Sequence, residues 1–195
     1  MRIRNPFLVF ILLGAFFVSK GQNKRGNNEN SLEGIPFKER IVTGGGLGLS
    51  FGSNQDFISV SPIIGYAFTK KFVGGTGLTY QYTKYKDVYP GQDVTTNNYG
   101  INPFMRYTVF RGIFVHAEYE YLNYEGILPN LETQRFNFDS FMAGGGVMQP
   151  IGDRAGIFFM ALYNFSYRDP NPGEYLPYAS PWVIRAGINV GALSF

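Results

Sequence analysis

His116, Glu118 and Glu120 fall two residues apart in the stretch GIFVHAEYEYLNYEG, Gly112 to Gly126. A histidine beside two carboxylates is the group in this sequence best suited to general acid–base work. Acyl chemistry would also need a serine within hydrogen-bond reach of the histidine and an open path for substrate. Ser59 and Ser61 would have to reach it from elsewhere in the chain, so a hydrolase is the weakest of the functional readings. The structural alternative is a buried ion network, in which acids and bases at similar depth neutralise one another because an unpaired buried charge is expensive. One histidine and no cysteine give no basis for a metal site, a thiol nucleophile or a disulfide framework. GGGLGLSFG, Gly44 to Gly52, matches neither GxGxxG nor a Walker pattern and leads into no helix, so no phosphate-binding cofactor is expected.

The same stretch alternates with a period of two, as do most segments after residue 38. One parity carries Ile113, Val115, Ala117, Tyr119 and Tyr121, and the other Phe114, His116, Glu118, Glu120 and Leu122. Eight strands follow from this pattern: 39–52, 56–68, 72–85, 97–109, 113–124, 135–149, 155–168 and 181–195. Each is long enough for the roughly 9 to 11 residues that a tilted strand needs to cross a bilayer. The connections at 69–71, 110–112 and 150–154 are tight. Those at 86–96, 126–134 and 169–180 are long, and only 53–55 is a short turn among them. Short turns at one end and long loops at the other mark an up-and-down transmembrane barrel. The expected fold is thus all-β, a single eight-stranded antiparallel barrel.

Volume decides which face is inside. An eight-stranded barrel is just wide enough for side chains to fill it. The apolar face carries too many rings, among them Tyr66, Phe72, Tyr80, Tyr99, Tyr119, Phe136, Phe138, Phe159 and Tyr163, for that space. The charged face therefore points inward. Gly112, at a position of positive φ in a three-residue hairpin, aligns Val109 with Ile113, which sets Arg106 opposite His116 and diagonal to Glu118. Arg106, His116, Glu118, Glu120, Asp139 and Arg185 are assigned to one polar network in the lumen. Gly144-Gly145-Gly146 strips both faces of side chains and has no explanation at this level.

The first 21 residues, MRIRNPFLVFILLGAFFVSKG, have a basic start, an apolar run from Phe7 to Val18 and small residues at Ser19 and Gly21. This reads as a secretory signal peptide cut before Gln22. Its removal leaves fourteen basic residues against fourteen acidic ones, so charge gives no reason to expect nucleic acid as a partner. The domain plan is a signal peptide at 1–21, a flexible periplasmic segment at 22–38 and a barrel at 39–195.

SPIIGYAFTKKFVGGTGLTY, Ser61 to Tyr80, and the terminal VIRAGINVGALSF ending in Phe195 resemble the small outer-membrane β-barrel family. This family comprises the OmpA/OmpX/OmpW-like barrels and the porin-like barrel domains common in Bacteroidota. The resemblance implies an outer-membrane location in a Gram-negative-type bacterium, contact with outer-membrane lipid, and insertion by the barrel-assembly machinery, which reads an aromatic C-terminus such as Phe195. In the last strand the apolar parity is even, which turns Arg185 and Asn189 inward and leaves Phe195 off that parity; a bulge near Gly191 would reconcile them. With an even strand count both termini are periplasmic. The loop RDPNPGEYLPYAS, Arg168 to Ser180, carries Tyr175 and Tyr178 as candidate anchors for a protein partner. The leading functional expectation is a structural or accessory barrel with a plugged lumen in an outer-membrane assembly, without cofactor or enzymatic activity. The alternative is a narrow channel for small or apolar solutes, followed by the lipid hydrolase.

Overall fold

The computed structural model describes residues 31–51, 55–89, 91–127, 132–152, 154–169, 171, 176–178 and 180–191. A single 3-10 turn, Phe37–Arg40, leads into eight strands: β1 Ile41–Phe51, β2 Gln55–Ala67, β3 Phe72–Tyr89, β4 Gln92–Phe110, β5 Ile113–Ile127, β6 Thr133–Pro150, β7 Ala155–Asn164 and β8 Trp182–Gly191. Every strand pairs antiparallel with its neighbours in sequence, and β8 returns to β1 to close the barrel. The glycine-rich stretch that begins at Gly44 is β1, a piece of barrel wall.

The wall is apolar on the outside and largely polar within. Leu47, Ile64, Leu78, Met105, Val115, Phe159 and Ile184 project outward and are exposed, whereas Gln81, Asn98, Asn102, Glu120, Ser140 and Asn189 are buried inside. A water-soluble sheet has the opposite pattern, and a continuous apolar exterior requires an apolar surrounding. Outward rings gather near both ends. Tyr80 lies 5.4 Å from Tyr99 and Tyr163 lies 5.2 Å from Trp182 toward the long-loop end. Tyr66, Phe68 and Phe72 form a chain of contacts at the short-turn end. Two such belts suit the two interfaces of a bilayer.

Beyond its turn the hairpin between β4 and β5 keeps the expected register, with Arg106 opposite His116, but Ile113 pairs with Phe110 in place of Val109. Its turn is tighter than the three-residue loop inferred from sequence. Arg111 and Gly112 both have positive φ, 38° and 79°, and a register shift between Thr108 and Phe110 absorbs the extra residue. The segment 86–96, expected as a long loop, instead continues β3 and β4 beyond the outer belt to a pair at Tyr89 and Gln92, with another register shift below it. Between Asn164 and Trp182 the described residues belong to no strand. Within its described residues β8 runs in constant register against β1 and β7 up to Gly191, so the paired part contains no bulge. Phe195 lies outside the described residues.

One strand face differs from expectation. In β6 the even positions face inward: Ser140 and Met142 are buried, while Phe136 and Phe138 pack on the ring of Tyr124 at the mouth. Asp139 is therefore outside the barrel, where it accepts a hydrogen bond from the Tyr119 hydroxyl at 2.7 Å, and its assignment to the lumen is corrected. The same parity explains the triple glycine. A Cβ on Gly144 would lie 2.1 Å from the Ala161 carbonyl oxygen, and one on Gly146 would lie 2.2 Å from that of Phe159 and 2.7 Å from the Phe114 ring. These positions leave room for large side chains that enter the lumen from β5 and β7.

Candidate functional site: the charged lumen

The centre of the lumen is built around Glu118. Strand alternation turns His116, Glu118 and Glu120 of β5 inward together, and Arg185 of β8 points across the barrel from another wall. The Glu118 carboxylate lies 2.7 Å from Arg185 Nη1 and 3.0 Å from His116 Nε2. Because a carboxylate only accepts, the proton in the second contact belongs to Nε2. Arg185 Nη2 is 3.9 Å from Glu120 Oε1, and the Tyr178 hydroxyl donates to Glu120 Oε2. Glu118 and Glu120 are 3% and 0% exposed, so each depends on these partners for stability as an ion.

Arg106 belongs to a second layer. Its guanidinium lies 4.4 Å from the centre of the Phe114 ring and 5.0 Å from that of Phe158, a cation–π arrangement in a desolvated site. The Asn189 carboxamide, oriented by its neighbours, accepts from Arg106 Nη1. No carboxylate is in salt-bridge contact with it among the described residues, so the close Arg106–Glu118 pair suggested by the register is replaced by Arg185–Glu118. Phe104 stacks on His116 at 5.4 Å and completes an aromatic floor.

Both mouths are occupied by chain that the strand pattern does not reveal. At the long-loop end Leu176 and Pro177 are buried, Gln81 donates to the Pro177 carbonyl at 3.2 Å, and Tyr178 reaches inward to Glu120. Tyr178 is thus part of a plug, which corrects its reading as an exposed partner anchor; Tyr175 lies outside the described residues. At the short-turn end Leu32, 6% exposed, packs on Val42 and Ala67 inside the barrel. Arg40 holds this turn closed by donating to the carbonyls of Leu32 at 2.7 Å and Ile35 at 3.0 Å. Of the segment expected to be flexible, Leu32 and Ile35 pack into the lower mouth, whereas Glu33, Gly34, Pro36, Phe37 and Lys38 are exposed.

His116 is engaged by Glu118, its Nδ1 has no hydrogen-bond partner among the described residues, and the Ser61 hydroxyl faces that of Thr79 at 3.3 Å. The serine–histidine contact that acyl transfer requires is not assembled among the described residues. No cluster of three potential metal ligands occurs among them either.

An antiparallel eight-stranded barrel with an apolar exterior and a polar, filled interior has the fold of the small outer-membrane β-barrels. No family model matches the chain, and no curated protein matches it. Among solved structures it is similar to the N-terminal β-barrel domain of OprF from Pseudomonas aeruginosa, at 15% identity and a TM-score of 0.44, over 77% of this chain and 96% of that domain.

Proposed function

We propose that this chain is an outer-membrane barrel with both termini on the periplasmic side, and that it acts as a structural or accessory component of an outer-membrane assembly, without enzymatic activity. The observation that supports this reading is the packing of chain into both mouths of the lumen. Leu32 and Arg40 fill one mouth, Leu176 to Tyr178 fill the other, and the Glu118–Arg185 and Arg106–phenylalanine layers lie between them. A water-filled pore for hydrophilic solutes needs an open axis, and eight strands leave little room for one once side chains are this large. The apolar outer face with its two aromatic belts supports the membrane location, where contact with lipid and delivery by the barrel-assembly machinery follow.

Planar-bilayer recording on the reconstituted protein tests the reading, with silence expected at moderate voltage. Steady conductance in the wild type would refute the closed lumen. Heat-modifiable migration on detergent gels is expected from a closed hydrogen-bonded barrel, and identical mobility with and without boiling would refute the membrane barrel itself. The second reading, a narrow route for small or apolar solutes, draws on a cavity of about 190 Å³ beneath the Tyr178 plug.

A further inference from the structure

Charge is distributed unevenly between the two ends of the barrel. Toward the long loops the outward cations of β3 and β6 each meet a carboxylate, Lys84 with Asp93 and Lys86 with Asp56 at 2.8 Å, and Arg135 with Glu125 at 2.9 Å. At the short-turn end Lys38, Lys70, Lys71 and Arg111 have no carboxylate in salt-bridge contact among the described residues. Arg154 does, but it lies 3.6 Å from Glu39 and both side chains are more than half exposed, so water weakens the pair. The described carboxylates here are Glu33 and Glu39, too few to balance the rim.

The cations are spaced around the rim and are not gathered on one side. Lys38 precedes β1, Lys70 and Lys71 lie in the turn from β2 to β3, Arg111 in that from β4 to β5, and Arg154 in that from β6 to β7. Each of these turns is tied to the next strand by a backbone hydrogen bond of 2.8 Å: the amide of Thr108 donates to the Lys71 carbonyl, that of Met148 to the Gly112 carbonyl, and that of Gly191 to the Arg154 carbonyl. The barrel itself therefore fixes where the charges stand.

An apolar side chain accompanies the cation at every station. Phe37, Phe68, Phe110 and Ile151 are each half exposed or more. Phe37 stacks on the ring of Tyr66 at 5.0 Å, and the Arg111 guanidinium lies 5.1 Å from the centre of the Phe110 ring. An apolar group at the edge of the hydrocarbon, with a long cationic side chain just beyond it, matches an acyl chain and its phosphate headgroup.

We propose that the short-turn rim is a ring of sites for anionic glycerophospholipid. The proposal rests on the membrane reading above, which places this rim at the periplasmic leaflet. A cation close to an anionic membrane surface strengthens association about fivefold, whereas a zwitterionic headgroup offsets its phosphate with a cation of its own. The apolar side chains beside the charges favour lipid over a soluble acidic peptide, which would leave Phe68 and Phe110 without contacts.

Spin-labelled phosphatidylglycerol and phosphatidylcholine, each a trace component of phosphatidylcholine vesicles holding the protein, report the preference through the fraction of label immobilised. At low salt phosphatidylglycerol should associate about threefold more tightly, averaged over the whole lipid belt. The difference should shrink in about 1 M NaCl, where charges are screened beyond about 3 Å. The variant Lys70→Gln/Lys71→Gln/Arg111→Asn should halve the ratio or more, with asparagine used at 111 because φ there is 38°. Lys84→Gln/Lys86→Gln/Arg135→Gln removes the same charge from the opposite end and should leave the ratio as in wild type. A ratio of one in the wild type, one unchanged in the lower variant, or one that falls as far in the upper variant overturns the proposal. Retention of soluble polyglutamate by the same vesicles, lost in the lower variant, would then assign the rim to an acidic protein. Failure to float with the vesicles, or no immobilised label of either kind, would instead overturn the membrane reading.

Discussion

Replacing Glu118 by alanine tests the charge layout of the lumen most directly. The carboxylate receives one contact from Arg185 at 2.7 Å and one from His116 at 3.0 Å, and its removal leaves Arg185 with Glu120 as its nearby carboxylate. Breaking one side of a buried pair costs roughly 3 to 5 kcal/mol. Arg185 has a fallback, because Glu120 is 3.9 Å away and a small rotation would bring it into contact, so the lower end, about 3 kcal/mol, is expected. With a urea slope of about 1 to 3 kcal/mol/M, the midpoint of unfolding from lipid vesicles, followed by Trp182 fluorescence, should fall by about 1 M or more. Glu132→Ala, on the exposed connection before β6, should move it by less than about 0.5 kcal/mol. A double-mutant cycle adds the geometry: Glu118 should couple to Arg185 by about 2 kcal/mol or more and to Arg106 by less than half of that. Equal midpoints for the Glu118 and Glu132 variants would refute the buried pair. Stronger coupling to Arg106 would refute the layered arrangement.

Tyr178→Phe removes the hydroxyl that donates to Glu120, at a cost of about 1 to 3 kcal/mol, and should make the loop between β7 and β8 more sensitive to protease added outside vesicles; unchanged cleavage would count against the upper plug. Gly146→Val drives a side chain into the Phe159 carbonyl and the Phe114 ring, and it should yield no heat-modified band, whereas a folded variant would refute the parity of β6. Leu32→Asp places a carboxylate among Val42, Ala67 and Val73, which should expel the segment before β1 and expose it to protease at the short-turn mouth. Protection equal to wild type would mean the lower plug does not depend on Leu32.

Most of the wall was legible because alternation is a local signal. In β5 from Ile113 to Tyr124 one parity holds all the charge, and in β8 Arg185 and Asn189 alternate with Trp182, Ile184 and Ile188, so the inward face could be read from each strand alone. In β6 it could not. Phe136 and Phe138 lie near the rim, where a ring can face either an interfacial belt or the barrel mouth, and the deciding contacts are those of Gly144 and Gly146 with β5 and β7, far away in sequence. Partner choice inside the lumen failed for a related reason. Register identifies neighbours on the same sheet, but Arg185 reaches Glu118 across the hollow of the barrel, a contact that no pair of adjacent strands reports. The two plugs carry no periodicity at all, so Leu32 and Tyr178 resembled ordinary residues of a tail and a loop.

The short ladder between β1 and β8 also bears on the order in which the barrel is made and lost. These strands are the farthest apart in sequence, so their pairing has the largest chain-closure entropy to overcome and should form last. Among the described residues it is also brief, six opposed pairs from Val42–Gly191 to Leu47–Ala186, compared with fifteen between β5 and β6. A ring is as durable as its weakest join. Amide hydrogens of β1 and β8 should therefore exchange before those of β5 and β6, and the cylinder should open into a sheet along this line, with β4, β5 and β6 the last to separate.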